Sequence, residues 1–435
     1  MSESHNTDPE PTPVPEPTRE PERTPVPELV EGAASMNSAT GTSATGSDWN
    51  TRFADAIMGS APTPMAILVR GEGCYVWDDK GNKYLDFLAG IAVNALGHAH
   101  PVLVDALSRQ VASVAHISNY FASPSQIELA ERLRRVTGAG DRGRVYFANS
   151  GAEAIEAAIK LARLNDGRPT IVALNNAFHG RTMGSLSLTG KPSLRDPFLP
   201  LLPGVVHIDA TFEALEAAID DTVAALVLEP IQGEAGVIEL PEGFLERARE
   251  LTHAHGALLI LDEVQTGAGR TGEWFAFQHT SIQPDAIALA KGIGGGVPIG
   301  ALVTFDETSD LFQPGHHGST FGGNPLATAA ANAVLGEIER AGLVENAKVQ
   351  GAAIRAAIEG LESPLVAEVR GRGLLIGVGL TRPVAGKVVS AALAHGLIIN
   401  AANENSIRIA PPLIVSDSEV AEFIAKFTAA LEAAS

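Results

Sequence analysis

Ala257-Leu-Leu-Ile-Leu-Asp262-Glu-Val264-Gln265-Thr-Gly267 begins as five apolar residues and ends in a carboxylate. Such a run reads as a buried strand that delivers Asp262 to its C-terminal edge. A second run, Ala286-Ile-Ala-Leu-Ala290, ends on Lys291 and passes into Gly292-Ile-Gly294-Gly295-Gly296. An acid at one strand end and an amine at the next describe a site that holds a small molecule by both ends.

Upstream of this pair helices and strands alternate. The pattern predicts helix 125–136, strand 144–148, helix 151–164, strand 170–174 and a strand near 205–208. Helix 212–220, strand 224–228 and helix 242–255 follow. Continuous apolar strands between helices predict an α/β fold with a mostly parallel sheet covered on both faces. Ligands of such sheets bind outside the carboxyl ends of the strands. The unusual polar residues collect there: Asn149-Ser150-Gly151-Ala152, Phe178-His179-Gly180-Arg181, Glu229, Asp262 and Lys291.

Three of these features suit one ligand. Ser150 and Glu153 stand at capping-box spacing, and the small residues Gly151 and Ala152 leave amides bare at a positive helix end, which suits a phosphate. A buried Asp262 calls for a positive partner, such as a protonated pyridine nitrogen. Lys291 is placed to form a Schiff base with an aldehyde. Taken singly, an ordinary capped helix and a buried ion pair account for the same residues. Pyridoxal 5′-phosphate satisfies all three at once.

Other motifs carry less. Gly371-Arg-Gly373-Leu-Leu-Ile-Gly377 misses the dinucleotide spacing and opens a strand, and Gly190-Lys191 is followed by Pro192, so neither is a nucleotide loop. The pairs His98/His100, His253/His255 and His316/His317 have no cysteine or carboxylate at metal-ligand spacing, so no metal is expected.

The chain has 435 residues, enough for two packed domains, and a net charge of −20, which argues against nucleic acid as a partner. Cys74 is the single cysteine, no apolar run reaches bilayer length and no signal peptide is recognisable. A cytoplasmic enzyme that does not enter membranes is the expectation. Residues 1–48 hold eight of the 27 prolines and read as a disordered tail. Residues 49–96 read as an N-terminal segment with a hairpin turn at Asp79–Asn82 and packing with the small domain, and 97–325 as the large cofactor-binding domain. In 326–435, helices 326–340, 344–360 and 384–395, strands 374–380, 397–400 and 406–409 and a last helix capped by Ser416 and Glu419 read as a smaller α+β domain.

Several stretches then match a known family. They are Gly90-Ile-Ala-Val-Asn-Ala-Leu-Gly-His98, Asn149-Ser-Gly-Ala-Glu-Ala154, Ala177-Phe-His-Gly-Arg-Thr-Met-Gly-Ser185 and Glu229-Pro-Ile-Gln-Gly-Glu234. Leu261-Asp-Glu-Val-Gln-Thr-Gly267, Ala290-Lys-Gly292, Gly318-Ser-Thr-Phe-Gly-Gly-Asn-Pro325 and Ile407-Arg-Ile-Ala-Pro-Pro-Leu413 complete the set. From about Arg52 onward the chain resembles the class III pyridoxal-phosphate aminotransferases of fold type I. Three departures are Ile155, where the family often has asparagine, Gly267-Ala268-Gly269, where a bulkier middle residue is common, and the loosely matching segment Ala115–Phe121.

The resemblance implies that Lys291 binds the cofactor, Asp262 holds its pyridine nitrogen and Gln265 reaches its ring hydroxyl, with Glu263 in the same binding stretch. Val264 and Phe178 would face the two sides of the ring. Gly151 and Ala152 would bind the phosphate, helped by Thr320 from a second subunit of a homodimer. Arg181 would hold the substrate carboxylate, Ser319 would touch substrate, and Glu234 with Arg408 would form a gate. The implied substrates are acylated ornithine or another ω-amine as donor and 2-oxoglutarate as acceptor. An aminomutase on the same fold is the alternative of another class.

Overall fold

The computed structural model describes residues 49–60 and 63–435. The stretch expected to be a disordered tail lies outside the described residues. The chain divides into two compact units, Met1–Met65 and Ala66–Ser435. The described part of the first holds one helix, Trp49–Ala56, in which the Arg52 guanidinium sits 4.4 Å from the Trp49 ring centre.

The second unit begins with an antiparallel meander of β1 (Leu68–Glu72), β2 (Tyr75–Asp78) and β3 (Lys83–Asp86). The expected turn at Asp79–Asn82 joins β2 to β3. The Asp78 carboxylate closes it by accepting from the amides of Lys80 (3.0 Å) and Asn82 (2.8 Å).

The main sheet has seven strands. They are β4 (Arg144–Ala148), β5 (Thr170–Leu174), β6 (Val205–Ile208) and β7 (Val223–Leu228), then β10 (Leu258–Asp262), β11 (Ala286–Leu289) and β12 (Gly300–Thr304). Between β7 and β10 lies a small antiparallel ribbon, β8 (Ile231–Gln232) with β9 (Ile238–Glu239). The spatial order is β4-β12-β11-β10-β7-β5-β6. Five neighbours, β11, β10, β7, β5 and β6, pair in parallel. The strand β12 has no counterpart in the sequence reading, and it runs antiparallel to both β11 and β4. The sheet is therefore mostly but not wholly parallel, as expected. Its single reversed strand escaped notice because a five-residue apolar run after a glycine-rich loop carries no directional signal.

Alternation along the strands builds two apolar layers. Leu226, Leu228, Leu259, Leu261, Ile287 and Leu289 pack on one face. Ala225, Val227, Leu258, Ile260, Ala286 and Ala288 pack on the other, beneath Ile155, Ala158 and Ile159 of the helix Gly151–Arg163. Ile155 is completely buried there, where an amide would need a hydrogen-bond partner.

Toward the C-terminus, β13 (Val366–Arg372), β14 (Leu375–Leu380), β15 (Leu397–Ile398), β16 (Asn400–Asn403) and β17 (Ser406–Ile409) follow. Four of them form a sheet in the order β13-β14-β17-β16. The strand expected at 397–400 is two strands, because β15 leaves this sheet to pair in parallel with β3. The glycine-rich run Val369–Gly373 belongs mostly to β13 and turns into β14. The last helix, Asp417–Ala434, carries the expected Ser416–Glu419 capping box. It buries Val420, Phe423, Phe427 and Leu431, with Phe423 stacked on Phe87 at 4.4 Å.

Candidate active site

Because the parallel strands share a direction, β4, β5, β7, β10 and β11 bring their carboxyl ends to one rim. Asp262 is the last residue of β10 and is 4% exposed. Its Oδ1 accepts from the Val264 amide at 3.0 Å, and its Oδ2 lies 2.7 Å from His179 Nδ1. A carboxylate only accepts, so the imidazole proton belongs on Nδ1. His179 Nε2 is buried with no partner among the described residues. Burial alone would lower the His179 pKa, but the hydrogen bond and charge of Asp262, with Glu229 nearby, raise it above the ordinary value. Glu229 follows β7 and accepts from the Phe178 amide at 2.9 Å, and burial raises its carboxyl pKa. In the sequence, His179 stands in the motif Ala177–Ser185 with no role legible from it. A histidine facing a buried acid across the sheet rim leaves no local signal.

Lys291 follows β11 and takes a left-handed backbone conformation (φ 44°), an uncommon one for a residue with a side chain. Burial, reinforced by the Arg408 charge, lowers its pKa, while Glu234, Asp262 and Glu229 oppose that shift. A less basic amine is a better nucleophile and proton carrier at neutral pH. Lys291 and Asp262 both line one cavity of about 470 Å³.

Opposite them stands the helix Gly151–Arg163. Ser150 caps it by accepting from the Glu153 amide at 3.2 Å, while Glu153 reaches one residue further back, to the Asn149 amide at 2.7 Å. Gly151 and Ala152 line the cavity at this positive helix end. A Cβ at Gly151 would come within 2.9 Å of Val264 Cγ1, so glycine lets the helix start close against the cavity wall. Val264 and Phe178 line the same cavity, as does Gln265. A carboxylate at one end, a lysine at the other, bare amides and apolar side chains on its walls are a donor set that fits pyridoxal 5′-phosphate.

Behind Gln265 lies the pair Glu234–Arg408. Arg408 on β17 is fully buried, and its Nη1 donates to Glu234 Oε1 and, at 3.1 Å, to Gln265 Oε1. Its Nε donates to Asn400 Oδ1 at 3.1 Å, and its Nη2 has no partner among the described residues. Burial would raise the Glu234 pKa, but Arg408 outweighs it and holds this carboxyl below its ordinary range. Arg181 also lines the cavity, lies 5.6 Å from the Phe178 ring centre and has no carboxylate partner among the described residues.

Besides Glu234 and Arg408, which do not line the cavity, three expected residues stand elsewhere. Glu263 points behind the cavity wall, where it accepts from Thr266 Oγ1 and from the amides of Ala276 (3.0 Å) and Phe277 (2.8 Å). Successive side chains at a strand end point to opposite sides, so Asp262 and Glu263 cannot share the cavity. Ser319 and Thr320 line a separate recess with His116, Ser118 and Asn119. Asn149 joins the two spaces, since it lines the cavity and its Nδ2 donates to Ser319 Oγ at 3.0 Å.

This arrangement, a lysine and an aspartate at neighbouring strand ends of a mostly parallel sheet facing a helix N-terminus, is that of the aminotransferases of fold type I. Residues 57–431 match the family model described as Aminotransferase class-III, and the chain belongs to that family. It is 51% identical over 385 residues to the acetylornithine aminotransferase of Streptomyces coelicolor, a match covering 88% of this chain and 95% of that one. It is 50% identical over 396 residues to the acetylornithine aminotransferase of Mycobacterium tuberculosis, covering 91% and 99%. Among solved structures, an ornithine aminotransferase from Toxoplasma gondii, described with pyridoxal phosphate at its active site, superposes with a TM-score of 0.84 at 33% identity over 88% of this chain and 93% of that one.

Proposed function

We propose that the protein transfers the δ-amino group of N2-acetyl-L-ornithine to 2-oxoglutarate, giving N-acetyl-L-glutamate 5-semialdehyde and L-glutamate, a step of arginine biosynthesis. Half-identity to acetylornithine aminotransferases over most of the chain supports the donor. Pyridoxal 5′-phosphate, when bound, supplies an electron sink for the carbon that bears the reacting nitrogen.

The chain's own residues do the rest. Asp262, oriented by His179 and the Val264 amide, would hold the pyridine nitrogen. Gly151 and Ala152 would bind the phosphate, and Val264 and Phe178 would flank the ring. Lys291 Nζ takes the proton from the donor carbon in one half-reaction and gives one to the acceptor carbon in the other, a task suited to its lowered pKa. Arg181 holds the α-carboxylate of the acylated donor, which sets the distance of the δ-amine from Lys291. Glu234 masks Arg408 while the ω-amine reacts, and its release exposes the guanidinium to the second carboxylate of glutamate or 2-oxoglutarate.

The observation that carries this reading is an unmasked arginine (Arg181) lining the lysine-bearing cavity and a masked one (Arg408 with Glu234) bonded to Gln265 of the cavity wall. Substrates with one and with two carboxylates would need that difference. We assign residues 97–325 to the large domain, 326–435 to the small one and 49–96 to an N-terminal segment. Two copies form a homodimer in which Thr320, and Ser319 beside it, serve the other copy's site. The exposed rings of Tyr120, Phe121 and Phe321 near that recess support this. The enzyme works on small molecules in the cytoplasm, with neither nucleic acid nor membrane as a partner.

A panel of ω-amines assayed with 2-oxoglutarate tests the donor. N2-acetylornithine should lead ornithine, succinylornithine and 4-aminobutyrate in kcat/KM, and a lead for 4-aminobutyrate would overturn the assignment. Lys291→Ala should lower turnover by about 10³-fold or more. Arg181→Ala should raise KM for carboxylate substrates roughly tenfold or more while cofactor stays bound.

A further inference from the structure

Apart from the Phe178 ring 5.6 Å away, Arg181 has no hydrogen-bonding or ion-pair partner among the described residues, so its aim rests mainly on the backbone that carries it. That backbone is pinned from two sides, and both pins belong to the helix Gly151–Arg163. On one side, Gly180 (φ 136°) packs so tightly that a Cβ there would lie 2.9 Å from the Ala152 Cβ and 2.5 Å from Ser185 Oγ. On the other side stands Glu156, one turn further along the same helix.

Glu156 Oε1 accepts three hydrogen bonds from the segment after Arg181. They come from Thr182 Oγ1 (2.5 Å), the Gly184 amide (2.9 Å) and the Ser185 amide (3.1 Å). The six-residue helix Met183–Leu188 starts here, and its own N-cap residue, Thr182, makes no capping bond. Its orphan amides are satisfied instead by a carboxylate brought in from a neighbouring helix, with a favourable charge at that helix end. Gly184 is what admits the carboxylate, since a Cβ there would lie 2.2 Å from Glu156 Oε2.

We infer that Glu156 is a positioning residue for the substrate carboxylate. Through it, the helix whose first amides face the phosphate end of the cavity also fixes where Arg181 stands. One rigid element would thus set the span between cofactor and substrate carboxylate. The inference rests on the role proposed above for Arg181.

The test uses the full-length holoenzyme and two amines, N2-acetylornithine and N-acetyl-1,4-diaminobutane, which is the same donor without its carboxylate. Glu156→Ala should lower kcat/KM for N2-acetylornithine roughly tenfold, mainly through KM, a loss expected when a binding group is displaced by a fraction of an ångström. The decarboxylated amine should react at an unchanged rate, with cofactor absorbance retained. Glu156→Gln should restore most of the loss, because its carbonyl oxygen can take the same three donors. Should Glu156→Ala fail to fold, Thr182→Val removes one donor and should give a smaller loss with the same selectivity. Equal losses on both amines, or no loss on either, would overturn the inference. Arg181→Ala is the reference: if it discriminates between the amines and the Glu156 variants do not, only the Glu156 inference fails. If Arg181→Ala does not discriminate, the assignment of Arg181 fails first.

Discussion

His179 Nδ1 lies 2.7 Å from Asp262 Oδ2, and neither residue is more than 4% exposed. The contact, with the Val264 amide on the other oxygen, leaves Asp262 little freedom to turn from the cavity. His179→Leu should therefore loosen Asp262 without removing its charge. Hydrogen bonds to charged groups contribute about 1.5–3 kcal/mol, so kcat should fall about tenfold to a hundredfold. Steady-state kinetics on cofactor-saturated enzyme will check this, and an unchanged kcat would remove His179 from the working site.

Gly151 faces Val264 at a distance that leaves no room for a methyl group. Gly151→Ala should push the first turn of its helix off the cavity wall and weaken cofactor binding roughly tenfold. Titration of the apoenzyme with pyridoxal phosphate reads the effect, while urea stability should change by only about 1 kcal/mol.

Glu234 and Arg408 are coupled across 174 residues of chain. With Glu234→Ala the arginine is permanently unmasked. The half-reaction with glutamate should then keep or improve its KM, whereas the acetylornithine half-reaction should lose about tenfold in kcat/KM. Single-turnover spectra of the two half-reactions separate these outcomes, and equal losses in both would contradict a gate. The variant should also be less stable by a few kcal/mol, because a buried guanidinium loses its counter-ion.

Glu263 is buried behind the site, and burial raises its carboxyl pKa from 4.5 to about 7 despite three hydrogen bonds. The native state therefore holds a proton that the unfolded chain releases at lower pH. Its contribution to stability is complete below pH 4.5 and is lost as pH rises through about 7. Urea unfolding of the apoenzyme between pH 5.5 and 7.5 should show stability falling with pH from this group. Glu263→Gln should flatten that slope while lowering stability overall, since an amide cannot accept from all three donors. A slope identical in wild type and variant would show that Glu263 titrates normally.

The strand runs were legible because burial on both faces forces continuous apolar residues, as in Leu258–Leu261 and Ala286–Leu289. So were Asp262 and Lys291, since a charge at the end of such a run is costly without a ligand or partner. The helix start at Ser150 was readable from local capping chemistry alone. What escaped were relations between segments. The Ser150–Glu153 box is only half formed, because Glu153 found Asn149 instead. Glu263 could not be told from Asp262 until the strand register assigned them to opposite sides.

By itself, the sequence determined which segments are buried, where each strand must end, and which polar groups therefore stand on one rim. Those properties depend on side-chain polarity and on periods of a few residues. Only the tertiary structure decided that β12 runs backwards through the sheet, that His179 meets Asp262, that Arg408 is masked by Glu234, and that Glu156 holds the segment behind Arg181. An apolar run reports burial but neither direction nor neighbour, and contacts between distant segments form only when the whole core has packed.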